Sequence, residues 1–227
     1  MTDFARVAWL VMRKDLTIEI RSREILYTTL FFAVSCVLVF AFSFVKDGRP
    51  VDDVAAGILW IAIAFAGTLA LGRAFERERH GETLRALMMA PADRPAIYLG
   101  KLLGVLVLLG AVELVIVPLV GLLFQAPILA RPLLLGGLLL SGTLGFAAVG
   151  TLFAAMLVRA RSRDVLLPVL LYPITVPVII AGVRGTAAIF QAEIDEPMAR
   201  AWLSMLVFFD AVFLTLALWT FEPVMTE

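Results

Sequence analysis

Six stretches of the chain stay apolar for about the 20 residues that a helix needs to cross a membrane. They are 26–45, 54–74, 102–124, 133–158, 165–183 and 202–221, separated by short polar connections. None alternates apolar and polar positions as a barrel strand does, and irregular backbone cannot face lipid, so all six are predicted to be helices. Ahead of the first, Phe4, Val7, Val11, Ile18 and Ile25 recur at near-helical spacing, with Arg6, Arg13, Thr17, Arg21 and Glu24 on the opposite arc. That pattern predicts an amphipathic helix over 4–24, lying in the membrane interface or packed on a partner. Asp15 and Glu19 break its apolar side, and Glu19 is spaced to pair with Arg23 at i, i+4. The expected fold class is all-α integral membrane, six transmembrane helices preceded by an N-terminal amphipathic interfacial helix, in one domain over 1–227.

Within the spans some residues stand out. Pro168, Pro173 and Pro177 in "LPVLLYPITVP" each remove a backbone donor, and such breaks survive in a membrane where neighbouring helices satisfy the freed carbonyls. A kinked, enclosed fifth helix is expected. In the fourth span Gly137, Ser141 and Gly145 repeat at every fourth position, which puts small residues on one face for close approach of another helix. Beyond the fifth span, "RGTAAIFQAEIDEP" is too short and polar to cross; a re-entrant or interfacial hairpin is expected over 184–198, with an ordinary loop as the alternative.

Polarity concentrates in one place. "FERERHGETLRALMMAPADRPAIYLGK", residues 75–101, carries nine of the chain's 38 charged residues. Its pattern permits a short helix over 82–89, with Leu84, Leu87 and Met88 on one side beside Arg85, ended by Ala90-Pro91. Asp93 is spaced to cap the following helix. Such a helix suits a protein groove or the membrane surface.

Composition narrows the class. Of 227 residues 62% are hydrophobic and 17% charged, well above the roughly half apolar share of a soluble domain. Net charge is zero and basic tracts are absent, so a nucleic-acid footprint is missing. Placing the N-terminus in the cytoplasm puts 14 of the 19 Lys and Arg residues on that side, so both termini are expected there. The charges near the N-terminus do not resemble a removable signal peptide, and the start is expected to be retained.

The apparatus of an enzyme is not legible. "GKLLG" at Gly100 lacks the upstream glycine of a phosphate loop and has Leu102 where a magnesium-binding hydroxyl belongs. His80 is the single histidine and Cys36 the single cysteine, so no metal or haem-ligating spacing exists, and no metal or cofactor is expected on this chain. Glu113 and Asp210 stand near the middle of the third and sixth spans. Ionisable groups at that depth face a bundle interior or water, and are functional or structural.

A resemblance completes the reading. The order Glu76, Arg77, Glu78, then Gly81, Thr83, Leu84, then Pro91, Arg94, Ile97, Gly100 and Lys101 resembles the loop between the second and third spans of type-two ABC exporter permeases. More narrowly, "KDLTIEIRSRE", "GILWIAIAFAGTLALGRAFERER", "MMAPADRPAIYLGK" and "SGTLGFAAVGTLFAAM" together resemble the CcmB family, the permease subunit of cytochrome c maturation, over nearly the whole chain. The resemblance implies a coupling loop over 75–101 in which Leu84, Arg85, Leu87 and Met88 contact a CcmA-like ATPase. Glu76, Arg77, Glu78 and Arg79 would set its exit from the membrane, with Glu82 and Arg94 in the same loop. Arg159, Arg161 and Arg163 would form a second cytoplasmic contact. It further implies a permease dimer in the bacterial inner membrane with CcmC-like and CcmD-like partners. ATP hydrolysed on the partner subunit would release the haem-loaded chaperone CcmE, and haem would be handled by the complex rather than ligated here. An ABC permease for a drug, lipid or polysaccharide, and a non-transporting assembly scaffold, are the alternatives.

Overall fold

The computed structural model describes residues 2–46, 49–50, 54–74, 93–158, 160 and 162–226. Among them are seven helices: α1 (Thr2–Ser22), α2 (Glu24–Ser43), α3 (Ala55–Ala74), α4 (Arg94–Phe124), α5 (Pro132–Met156), α6 (Arg163–Phe190) and α7 (Glu196–Thr226). A two-residue antiparallel pairing, Val45–Lys46 (β1) with Arg49–Pro50 (β2), follows α2. Helices α2 to α7 are each long and apolar enough to cross a membrane, which makes six spans and an all-α membrane fold.

Helices α3 and α5 form the centre. α5 packs on α3, α4, α6 and α7, while α2 covers α3 and α4. In lipid no solvent drives helices together, so association depends on close backbone approach and internal hydrogen bonds. Trp60 of α3 is the clearest case. Its ring, 2% exposed, fills a notch made by the missing side chains of Gly142 on α5 and Gly182 on α6. A Cβ at these two positions would stand 2.1 and 2.4 Å from ring carbons. Trp60 Nε1 donates to Thr186 Oγ1 at 2.9 Å, so the indole's one polar group is satisfied inside the bundle. Leu71 fits Gly150 in the same manner one level away.

The small-residue face of α5 meets α7. A Cβ at Gly137 would lie 3.3 Å from Leu203, and one at Gly145 would lie 2.7 Å from Asp210 Oδ1 and 3.2 Å from the Phe209 ring. Ser141, between them, is half-buried.

α4 begins at Arg94, directly after the expected cap position Asp93 and eight residues ahead of the apolar run, and its Ala96, Ile97, Tyr98, Gly100 and Lys101 are buried by tertiary packing. Asp93 holds the N-cap position of α4 but makes no side-chain cap bond. The hairpin or loop expected from residue 184 is not found. α6 continues to Phe190 because Gly185, Thr186, Ala188 and Ile189 present a buried face, with Gly185 against Leu138 and Trp202. A tight turn follows, in which Asp195 N donates to Ala188 O at 3.0 Å and Asp195 Oδ1 accepts from Met198 N at 2.9 Å, starting α7. α6 is one element through all three prolines; Pro173 is exposed, Pro168 and Pro177 half-buried.

The N-terminal helix ends at Arg23, whose backbone is left-handed (φ 54°). Glu19 does not pair with Arg23. Its carboxylate reaches over the bend and accepts from Leu26 N at 2.8 Å, capping α2, while Arg23 Nη1 donates to Tyr27 Oη at 3.2 Å. An uncapped helix N-terminus exposes donors that a membrane would leave unsatisfied, which is why the acid is worth more here than in an i, i+4 pair.

The Trp60 seat yields a stability test. Gly182→Ala is expected to cost about 1–3 kcal/mol by overpacking, read as a drop of several degrees in the unfolding midpoint of detergent-solubilised protein. Gly182→Ala with Trp60→Phe should lose less than the sum of the two single changes, because the second relieves the clash of the first.

Candidate functional site

The polar loop singled out by its sequence leaves α3 and re-enters at α4. Glu76, Arg77, Glu78, Arg79, Glu82, Leu84, Arg85, Leu87 and Met88, with His80 and the predicted helix over 82–89, lie outside the described residues. The structure therefore describes the posts of the loop. Their anchoring follows from the residues at each end.

On the α3 side, Arg73 Nη1 lies 2.7 Å from Glu24 Oε1, an exposed pair joining α3 to the start of α2. The Leu71 carbonyl accepts from Arg163 Nη2 at 3.0 Å. On the α4 side, Lys101 is only 2% exposed, and its ammonium lies 2.9 Å from Asp15 Oδ2 of α1. Asp15 also receives Lys14 at 3.0 Å. Directly beside this pair, Gly100 lets α1 approach so closely that a Cβ would stand 2.6 Å from the Ala8 carbonyl oxygen and 2.7 Å from Val11 Cβ. Arg94, in the first turn of α4, is half-buried. The inward stripe of α1 thus runs through Ala8, Met12 and Glu19, with the partly buried Asp15 bonded inward beside it. The two acids that spoil its apolar pattern are the residues that bond it to the rest of the chain.

The second expected contact divides. Arg159 and Arg161 lie outside the described residues. Arg163 is not a surface contact: as the first residue of α6 it is 2% exposed and turned into the bundle. A buried guanidinium needs acceptors, and a main-chain carbonyl supplies one here.

The two membrane carboxylates flank the same turn of α5. Glu113 of α4 accepts a hydrogen bond from Thr143 Oγ1. Asp210 of α7 is 6% exposed and lies over Gly145, two residues further along. Residues 143 and 145 stand on nearly opposite sides of a helix, so α5 passes between these acids and they form no dyad. Among the described residues, no cluster of three or more His, Cys, Asp or Glu side chains is arranged to hold a metal ion.

Sequence reasoning missed the burial of Lys101 and Arg163 and the seat of Trp60. The positions of the two cations immediately before apolar runs, one and two residues ahead of them, were the available signal.

A family model described as CcmB protein matches residues 6–225. The chain is similar to the Heme exporter protein B of Paracoccus denitrificans (strain Pd 1222), 33% identical over 193 residues, 83% of each chain. The protein of the same name from Rhodobacter capsulatus is 30% identical over 193 residues, 83% of this chain and 87% of that one. That of Escherichia coli K12 is 29% identical over 191 residues, 84% of each.

The two salt bridges at the loop posts should differ in weight. Asp15→Asn takes the carboxylate from a buried ammonium and is expected to cost about 3–5 kcal/mol. Glu24→Gln at the exposed pair should cost less than about 1 kcal/mol. Parallel unfolding titrations of the two variants in micelles check the order.

Proposed function

The chain belongs to the CcmB protein family, and on that premise we propose that it works as the permease subunit of an ABC-type complex for cytochrome c maturation. In this reading a separate CcmA-like ATPase docks on residues 75–92, with Leu84, Arg85, Leu87 and Met88 in its groove, and on the connection containing Arg159 and Arg161. ATP hydrolysis on that partner drives release of the haem-loaded chaperone CcmE, beside CcmC-like and CcmD-like subunits. The permease acts as a homodimer in the bacterial inner membrane with both termini cytoplasmic. Haem is the cargo of the complex and is not ligated by this chain, whose own role is mechanical rather than catalytic.

The observation that carries the reading is the anchoring of the loop posts. A segment that receives work from a partner must hand it to the helices behind it. Both posts are bonded to other elements of the chain, through Arg73–Glu24 and Arg163–Leu71 on one side and Lys101–Asp15 on the other. The energy available for transmission is the difference in the ATPase's affinity for two arrangements of these helices. Large apolar side chains such as Phe31, Leu133 and Trp219 face outward, as lipid contact requires.

Two outcomes test the reading. A strain lacking this gene should lose every haem-peroxidase-stained c-type cytochrome band and regain them on complementation; normal bands would remove the assignment. Leu87→Asp places a charge in the apolar contact and should lower co-purification of the ATPase by about tenfold while the permease still inserts.

A further inference from the structure

Polar contacts tie α3 to α6 at three levels, and they stand in antiparallel order. Trp60 Nε1 donates to Thr186 Oγ1 at 2.9 Å far from the loop posts, the Thr68 and Tyr172 hydroxyls lie 3.2 Å apart midway, and Arg163 Nη2 donates to the Leu71 carbonyl at 3.0 Å beside the posts. The last contact differs in kind from the other two. It commits a guanidinium, costly to bury, to a main-chain atom. A bond to a carbonyl fixes the path of the backbone itself, whatever side chain stands there. Leu71 lies three residues before the end of the described α3, and Arg163 is the first residue of α6. One side chain therefore joins the point where the chain departs into residues 75–92 to the point where it returns from the α5–α6 connection.

We propose that Arg163 is a positioning residue that makes α3 and α6 a single mechanical unit, so that displacement of either cytoplasmic connection is delivered to both helices together. At the other post α4 is bonded to α1 through Lys101 and Asp15, and α3 packs on α4 between the two posts. The assignment rests on the ATPase docking proposed above. Its distinguishing consequence is that loss of Arg163 uncouples without undocking.

The test uses the assembled complex and the full chain. In Arg163→Gln, co-purification of the ATPase should stay near the wild-type level, while ATP-dependent formation of c-type cytochromes falls by about tenfold, the scale of an ordinary coupling energy. Spin labels at Leu69→Cys and Asp164→Cys, in a Cys36→Ser background without the ATPase, should report a distance distribution that widens or shifts when Arg163 is replaced. Arg163→Lys, which keeps the charge and can still reach one carbonyl, should give intermediate values in both measurements; it also stands in if Arg163→Gln does not insert. Unchanged distances, or wild-type cytochrome yield with changed distances, would overturn the proposal. Loss of ATPase association in Arg163→Gln with unchanged distances would also overturn it, by making the residue a docking contact. Failure of the docking reading shows separately, as unchanged ATPase association in Leu87→Asp.

Discussion

The indole of Trp60 lies where three helices would otherwise be held apart. A bundle in lipid gains little from hiding apolar surface, because the tails outside are as apolar as the side chains within, so its helices must interlock or bond. Trp60 does both. Gly142 and Gly182 admit its ring, and Thr186 accepts from its nitrogen. With α3, α5 and α6 set at that spacing, Leu71 falls against Gly150, Phe146 against Gly67, and α7 closes over the small face of α5.

Away from that centre, charge takes over from shape. Lys101 and Arg163 are both buried, yet each is met by an acceptor from another element, a carboxylate of α1 and a carbonyl of α3. Both lie at the end of the bundle that carries the loop posts. The opposite end has a lighter counterpart, where Glu196 joins Arg131 of the α4–α5 connection and Arg200 of its own helix. The buried cations resist displacement more than this exposed cluster does, because separating them from their acceptors in a dry site costs far more than in water.

The spans were legible because length and unbroken apolarity dictate a crossing helix with few alternatives, and Gly137, Ser141 and Gly145 were legible because a four-residue repeat of small side chains implies a neighbouring helix. What escaped was decided by tertiary contact. The first two turns of α4 follow the expected cap at Asp93, but the burial of Lys101 there is set by Asp15 of α1. Residues 184–198 read as too short and polar to cross, but Leu138 and Trp202 meet Gly185 and α6 runs on to Phe190. Asp15 and Glu19 looked like flaws in an amphipathic pattern because a pattern registers polarity, not the partner that satisfies it. The resemblance implied a cytoplasmic contact for Arg163, whose burial is decided by neighbours that the resemblance does not record.

The length of α4 has a consequence of its own. Its 31 residues make a rod about 46 Å long at the rise of an α-helix, against a hydrocarbon layer about 30 Å thick. Roughly a third of it must protrude, and α1 is clasped to that overhang through Gly100 and Lys101. α1 is thus fixed to the part of α4 that lies beyond the layer, so a change in the tilt of α4 and a displacement of α1 would accompany one another.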